Sequence, residues 1–289
     1  MKDIIKIEGL SKAFGDVKAV QDLSFRVREG ELFAFLGVNG AGKSTTINIL
    51  CGQLSKDSGQ LVSSLLAVSC VTVAFCSNFL MVQDKANGTI KDLRISPVKR
   101  STLSLSYYIA ALLSTLLICL VATGLCLGYL AATGWYLTFS DVVCLLLDVV
   151  LLVLFGTALS SAINLFLSSQ GQISAVGTIV SSGYGFICGA YMPISSFSSG
   201  LQKVISFLPG TYGTALVRNH AMQSALAEME KEGIPVQLIE ELKNALDCNL
   251  YFFEKQVSIP AMYGILVVTI TALIAVYVLL NKLQNKKSR

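Results

Sequence analysis

The stretch LVSSLLAVSCVTVAFCSNFLMV, Leu61–Val82, runs for 22 residues without a charge. A helix rises about 1.5 Å per residue, so roughly 20 apolar residues cross the hydrocarbon core of a bilayer. No Asp, Glu, Lys or Arg falls between Asp57 and Asp84. Four more stretches of the same character follow, at about 103–131, 142–167, 171–192 and 258–280. Composition agrees: 53% of residues are hydrophobic and 14% charged, with a mean hydropathy of +0.66. An ordinary soluble domain carries about 25% charged residues. The expected fold is a mainly α-helical membrane protein with about five transmembrane helices, preceded by an incomplete α/β segment over residues 1–60. The net charge of +4 is small and divided between ends and loops, which makes no case for nucleic acid.

Charges between the apolar runs set the orientation. DKANGTIKDLRISPVKR, residues 84–100, holds five basic residues against two acidic, and the tail NKLQNKKSR holds four basic and none acidic. The long connection at about 193–257 is mixed and rich in glutamate. By the positive-inside rule the 84–100 loop and the tail are cytoplasmic and the long connection is outside. Trp135, Tyr136 and Phe139, in the loop GWYLTFSD, suit a membrane interface. With five crossings the same rule leaves residues 1–60 outside, where ATP is scarce. That conflict matters because of what those residues contain.

Residues 1–60 carry eight Lys/Arg and mix polar with apolar positions. Alternation in DIIKIEGL and DLSFRVREG predicts short strands, with REG as a turn. ELFAFLG reads as a buried strand running into a loop, and KSTTINILCGQL has helical spacing at Ile47, Leu50 and Leu54. Between them lies LGVNGAGKSTT, Leu36–Thr46, in which Gly37, Gly42, Lys43 and Ser44 satisfy G-x-x-x-x-G-K-[ST] between a strand and a helix. Glycines there let successive backbone N–H groups curl around phosphates, and the helix N-terminus adds partial positive charge. Lys43 would supply a point charge to the β- and γ-phosphates, and Ser44 a hydroxyl to Mg²⁺.

IEGLSKAFGDVKAVQDLSFRVREGELFAFLGVNGAGKSTTINILCGQLSKDSG resembles the opening of an ABC-transporter ATPase subunit. The resemblance implies that Phe14 stacks on adenine. It also implies that Gly37, Asn39, Gly40, Gly42, Lys43, Ser44 and Thr45 hold ATP, with Mg bound through Ser44. Hydrolysis in that family also needs a glutamine loop, a signature from the partner subunit, an acidic pair after an apolar strand, and a late histidine. VCLLLD, Val143–Asp148, imitates the acidic strand, but valine follows it. LSSQGQ, Leu167–Gln172, imitates a signature yet joins two apolar runs, and His220 falls in the connection assigned to the outside. No catalytic residue is therefore assigned, and hydrolysis by this chain alone is not expected. About 60 residues are also marginal as a domain, and ELFAFLG would lack its flanking strands.

Residues 61–289 resemble the later part of a type-2 ABC exporter permease, a family whose members export drugs, lipids, polysaccharides or peptides. Its first span would be missing here. DKANGTIKDLRISP resembles the family's cytoplasmic segment that docks on the ATPase, which carries that role to Gly88, Thr89, Leu93 and Pro97. GAYMPISSFSSGLQKVISFLPGTYG resembles the stretch after the fifth span, where short helices dip into the outer leaflet. Implied partners are a complete ABC ATPase subunit and a second permease chain in a bacterial cytoplasmic membrane. Three readings compete: a permease driven by a separate ATPase, a fused half-transporter that hydrolyses ATP itself, and an inactive product of an in-frame deletion joining two genes.

Single residues add less. Asp148 lies within a predicted span and is a functional candidate by default; its nearness to the outer end allows the alternative of reaching the interface. Asn78 and Asn164 are expected to bond to neighbouring helices. EMEKEGIPVQLIEELKNAL reads as an outside helix broken at Pro235. The eight cysteines include no CxxC pair and read as free thiols, with Cys248, alone in a polar stretch, open to labelling from outside.

Overall fold

The computed structural model describes residues 3–14, 17–28, 53–95, 100–231, 236–253 and 255–287. The chain forms two compact units, Met1–Asp57 and Ser58–Arg289. In the first, β1 (Asp3–Phe14) pairs antiparallel with β2 (Val17–Arg28), with Phe14 opposite Val17 and Asp3 opposite Arg28. The two expected strands are thus present and longer than the alternation marked. The register slips at several points, and Asp22 takes a φ of +45°. ELFAFLG and the phosphate loop lie outside the described residues.

The second unit is helical. Its elements are α1 (Gln53–Asn87), α2 (Thr89–Ile95), α3 (Arg100–Thr133), α4 (Phe139–Asn164) and α5 (Gln170–Ile187). A 3₁₀ turn (Ile194–Ser196), α6 (Ser199–Ile205), α7 (Pro209–Lys231) and α8 (Val236–Ala245) follow, then β3 (Tyr251–Phe252), β4 (Lys255–Gln256) and α9 (Ile259–Lys287). Among the described residues, four helices are long and apolar enough to cross a membrane: Gly59–Asn87, Ser101–Ala132, Phe139–Asn164 and Ile259–Leu283. The fifth expected span, 171–192, is the 18-residue α5, which stops at Ile187 and is not among them. Its glutamines, serines and glycines dilute the apolar run.

Side-chain contacts give each helix its direction. Cys70 faces the Val149 carbonyl, Asn78 bonds to Ser160, and Lys85 reaches the Leu165 and Leu167 carbonyls, so α1 and α4 run the same way. Tyr263 bonds to Asp148 near the starts of α9 and α4, which makes α9 a third helix in that direction. Tyr107 of α3 bonds to Asp84 near the end of α1, and Ser104 to Asn281 near the end of α9, so α3 runs opposite. On α5, Gly177 lies against Phe79 and Ile173 packs with Val82, so α5 also opposes α1. The chain must therefore cross five times, α5 carrying it back despite its modest apolarity. The basic 84–100 loop and the end of α9 share one side, as the charge rule requires.

Two features fix the α1–α4 seam. A Cβ on Gly156 would stand 3.1 Å from Ala74 Cβ and from Val71 Cα, so any larger residue would force its neighbours to give way. Below it, the Lys85 ammonium donates to the Leu165 and Leu167 carbonyls at 3.1 and 2.9 Å, just past the end of α4, where the helix dipole is negative. At its other end α4 opens with a capping box: Thr138 accepts from the Asp141 N–H and donates its own N–H to the Asp141 carboxylate. Leu66, Phe75, Leu145, Leu152, Leu216 and Leu266 fill the core. Leu117 and Leu125 of α3 and Val268 of α9 stay exposed, as a lipid-facing surface demands.

The connection expected as an outside loop is mostly helix. Residues 210–218 of α7 are continuously buried, and a Cβ on Gly213 would collide with Leu152 of α4 and approach Leu266 of α9. The first half of α7 is a wedge between two spans.

Gly156→Leu should destabilise the protein by about 1–3 kcal/mol through overpacking. Gly124→Leu, at a glycine with nothing within 4 Å of a built Cβ, should be near neutral. Thermal unfolding of both variants in detergent checks the difference. A reporter fused after Arg289 should be active only in the cytoplasm.

Candidate functional site

On α4, Asp141 and Asp148 stand two turns apart and so face the same way. The wedge α7 runs against that face in the opposite direction, bringing Ser224 to Asp141 and His220 to Asp148. From α9, one turn after its start, Tyr263 completes the group. Asp148 is 1% exposed. One carboxylate oxygen lies 2.6 Å from His220 Nδ1, and the other accepts from the Tyr263 hydroxyl at 2.5 Å. Asp141 accepts from the Thr138 N–H at 3.0 Å, from its hydroxyl at 2.7 Å, and from Ser224 Oγ.

Electrostatics follow from the geometry. Burial pushes the His220 imidazolium toward losing its proton. The hydrogen bond to Asp148 and the charges of Asp148 and Asp141 act against that and favour the protonated ring. With its ring protonated, His220 forms a buried ion pair with Asp148, and Tyr263 is a third partner, the pattern that makes an intramembrane carboxylate tolerable.

A second polar node locks the other face of α7. Arg218, 2% exposed, donates to the Leu246 carbonyl at 2.8 Å and the Gly189 carbonyl at 2.6 Å, with Asp247 at 3.6 Å. Asp247 in turn accepts from the Ile194 N–H at 2.7 Å. Burial raises the Asp247 carboxyl and lowers Arg218. Cys248, next along, is only 2% exposed and burial pushes its thiol up to about 11, so the expected outside labelling at this position is corrected. It packs with Met222, Leu226 and Ile239 rather than facing water.

Of the residues singled out from sequence, Asp148 sits at the centre of the polar group rather than reaching the interface. His220 is not in a solvated loop but at membrane depth. VCLLLD and LSSQGQ are an ordinary span segment and an ordinary helix start, the latter with Ser169 capping α5. Asn78 bonds to Ser160 at 2.5 Å and Ser161 at 3.0 Å, as expected. Asn164 does not: it is 0% exposed and neither amide atom has a partner among the described residues. Gly88, at φ +86°, separates α1 from α2, whose Thr89 and Leu93 are exposed, and Pro97 lies outside the described residues. Phe14 is the last residue of β1. Gly37, Asn39, Gly40, Gly42, Lys43, Ser44 and Thr45, the expected ATP and Mg contacts, also lie outside the described residues. Sequence reasoning missed His220, Tyr263 and the Arg218–Asp247 node. The available signal was an arginine and a histidine, two apart, in the otherwise apolar and small TYGTALVRNHAM.

Four helices long and apolar enough to cross a membrane, with α5 beside them and a wedge helix between, define a multi-pass membrane protein. The ABC-2 type transporter family model matches residues 25–221, more than half of the chain. The chain belongs to that family. It is also 52% identical over 59 residues to an uncharacterized ABC transporter ATP-binding protein of Methanocaldococcus jannaschii, covering 20% of this chain and 22% of that protein. Over 62 residues it is 45% identical to the ribose import ATP-binding protein RbsA of Hahella chejuensis, covering 22% and 12%. An uncharacterized ABC transporter ATP-binding protein of Sinorhizobium fredii is 41% identical over 73 residues, covering 25% and 15%. The chain thus spans about a fifth or less of the curated relatives named here.

Asp148→Ala should cost about 3–5 kcal/mol, because it leaves the buried His220 and the half-buried Tyr263 without their acceptor. Replacing Asp148 and His220 together by leucine should cost clearly less than the two single losses added. Unfolding midpoints of the two singles and the double complete the cycle.

Proposed function

We propose that this chain is the permease component of an ATP-driven ABC exporter, moving a drug, lipid, polysaccharide or peptide across the cytoplasmic membrane. The observation that carries it is the ABC-2 family match to the stretch that includes α1, α3, α4 and α5. Energy comes from a complete ATPase subunit, and a second permease chain completes the pathway. Residues 1–60 are a remnant of an ATP-binding segment, and any ATP or Mg they hold is bound through the phosphate-loop residues. Support for a separate ATPase lies in α1, which starts on the side opposite the basic loop, and in the absence of an acidic pair and signature from the sequence. Residues 61–289 form the permease part, with α2 in the cytoplasmic loop as the contact for the ATPase.

The test is biochemical. Purified protein in nanodiscs should hydrolyse no more ATP than Lys43→Ala; hydrolysis that depends on Lys43 would overturn the division of labour. In vesicles supplied with a complete ABC-2 ATPase, substrate efflux should depend on that subunit. Leu93→Glu, on the exposed face of α2, should weaken co-assembly by about 2 kcal/mol or more if it is a central contact, without shifting the unfolding midpoint.

A further inference from the structure

We propose that Asp148, His220 and Tyr263 form a proton-binding site whose occupancy sets how firmly the wedge α7 is held between α4 and α9. Nothing in this site depends on which substrate is carried or on how nucleotide is used. The three groups come from three helices, so the site exists only while α7 is seated. Asp148 is 1% and His220 7% exposed, and the imidazole lies 2.6 Å from the carboxylate. With the ring protonated, the pair carries no net charge. With the ring neutral, one uncompensated negative charge remains at a depth where no water solvates it.

Every group acting on the ring favours the proton except burial itself. From α4, Asp148 accepts from the ring, and Asp141, toward the outer end, adds a second negative charge. From α9, Tyr263 donates to the far oxygen of Asp148 and so leaves the near one to the imidazole. On α7 the Leu216 carbonyl accepts from the ring, while Arg218 turns away to Leu246, Gly189 and Asp247. Unseating α7 would expose the ring to the outer aqueous phase, break the bond to Asp148 and release one proton to water.

The sign follows from linkage. A histidine whose value is higher when α7 is seated than when it is open stabilises the seated form below ~6.5. That contribution is lost as pH rises through the seated value. Alkaline conditions outside therefore loosen α7, and acid holds it.

His220 is the only histidine in the chain, so an isotope-labelled imidazole reports on one site. The full chain, carrying a tag without histidine, is placed in phosphatidylcholine–phosphatidylglycerol nanodiscs and titrated by NMR. The expected midpoint lies above ~6.5 and falls in Asp148→Asn. Amide exchange across residues 210–222, corrected for base catalysis, should quicken as pH rises through that midpoint. The gain should be about tenfold for each pH unit that separates the seated midpoint from the open one. His220→Gln, which keeps a donor for Asp148, should show no such step. A wild-type midpoint at or below ~6.5, or the same pH step in His220→Gln, would overturn the proposal. Should Asp148→Asn fail to fold, the wild-type titration and His220→Gln still decide it.

Discussion

A carboxylate placed two turns inside an apolar helix must find partners within the protein, because the bilayer offers none. Asp148 meets this requirement with a histidine from α7 and a tyrosine from α9. The consequence reaches beyond one residue. To bring His220 to that depth, α7 must enter the bundle, and to enter it must shed side-chain bulk where it crosses Leu152 and Leu266. Gly213 supplies that, Gly210 does the same against Tyr184 and Cys188, and the run from 210 to 218 is buried throughout. The polar pair and the small residues before it are thus two parts of one solution.

The remaining polar groups obey the same logic at other depths. Asn78 is satisfied by two serines and a carbonyl of α4 rather than by water. Lys85 ends its helix against the Leu165 and Leu167 carbonyls just past α4, a site that wants a cation. Arg218 spreads its guanidinium over two carbonyls and a carboxylate, tying the turn after α5 and the end of α8 to the wedge. Each joins elements far apart in sequence, so the bundle's register is set by polar contacts while apolar packing supplies most of its stability. Asn164 departs from the pattern, and nothing in the structure explains its unpaired amide.

Hydropathy made the long spans legible because the bilayer imposes one length on every crossing helix. Charge made their direction legible, and the side-chain contacts agree with it. The wedge was not legible for a physical reason. A helix buried between two spans has no lipid face to keep apolar, so Arg218, His220 and Asn219 sit in a segment whose average looks like a solvated loop. Sequence did mark α5, as the apolar run at about 171–192, although glycines and serines that allow close packing lower its apolar signal. Asp148 could be found from sequence because a lone carboxylate in a span is conspicuous. Its partners could not, since pairing across 72 and 115 residues is a property of the packed bundle.

Why the wedge is held by an ion pair rather than by leucine is a separate question. Apolar residues of similar volume often hold such a position as well or better, since a buried pair must first lose its hydration. What leucine lacks is any dependence on conditions: its contribution is the same at every pH. A pair involving histidine is strong while the proton is present and becomes a buried unbalanced charge when it leaves. A contact whose strength differs between two states can shift the balance between them, because an equilibrium is biased only by a differential free energy between the two. The polar wedge meets that condition, and the apolar seam at Gly156, which packs without a titratable group, does not.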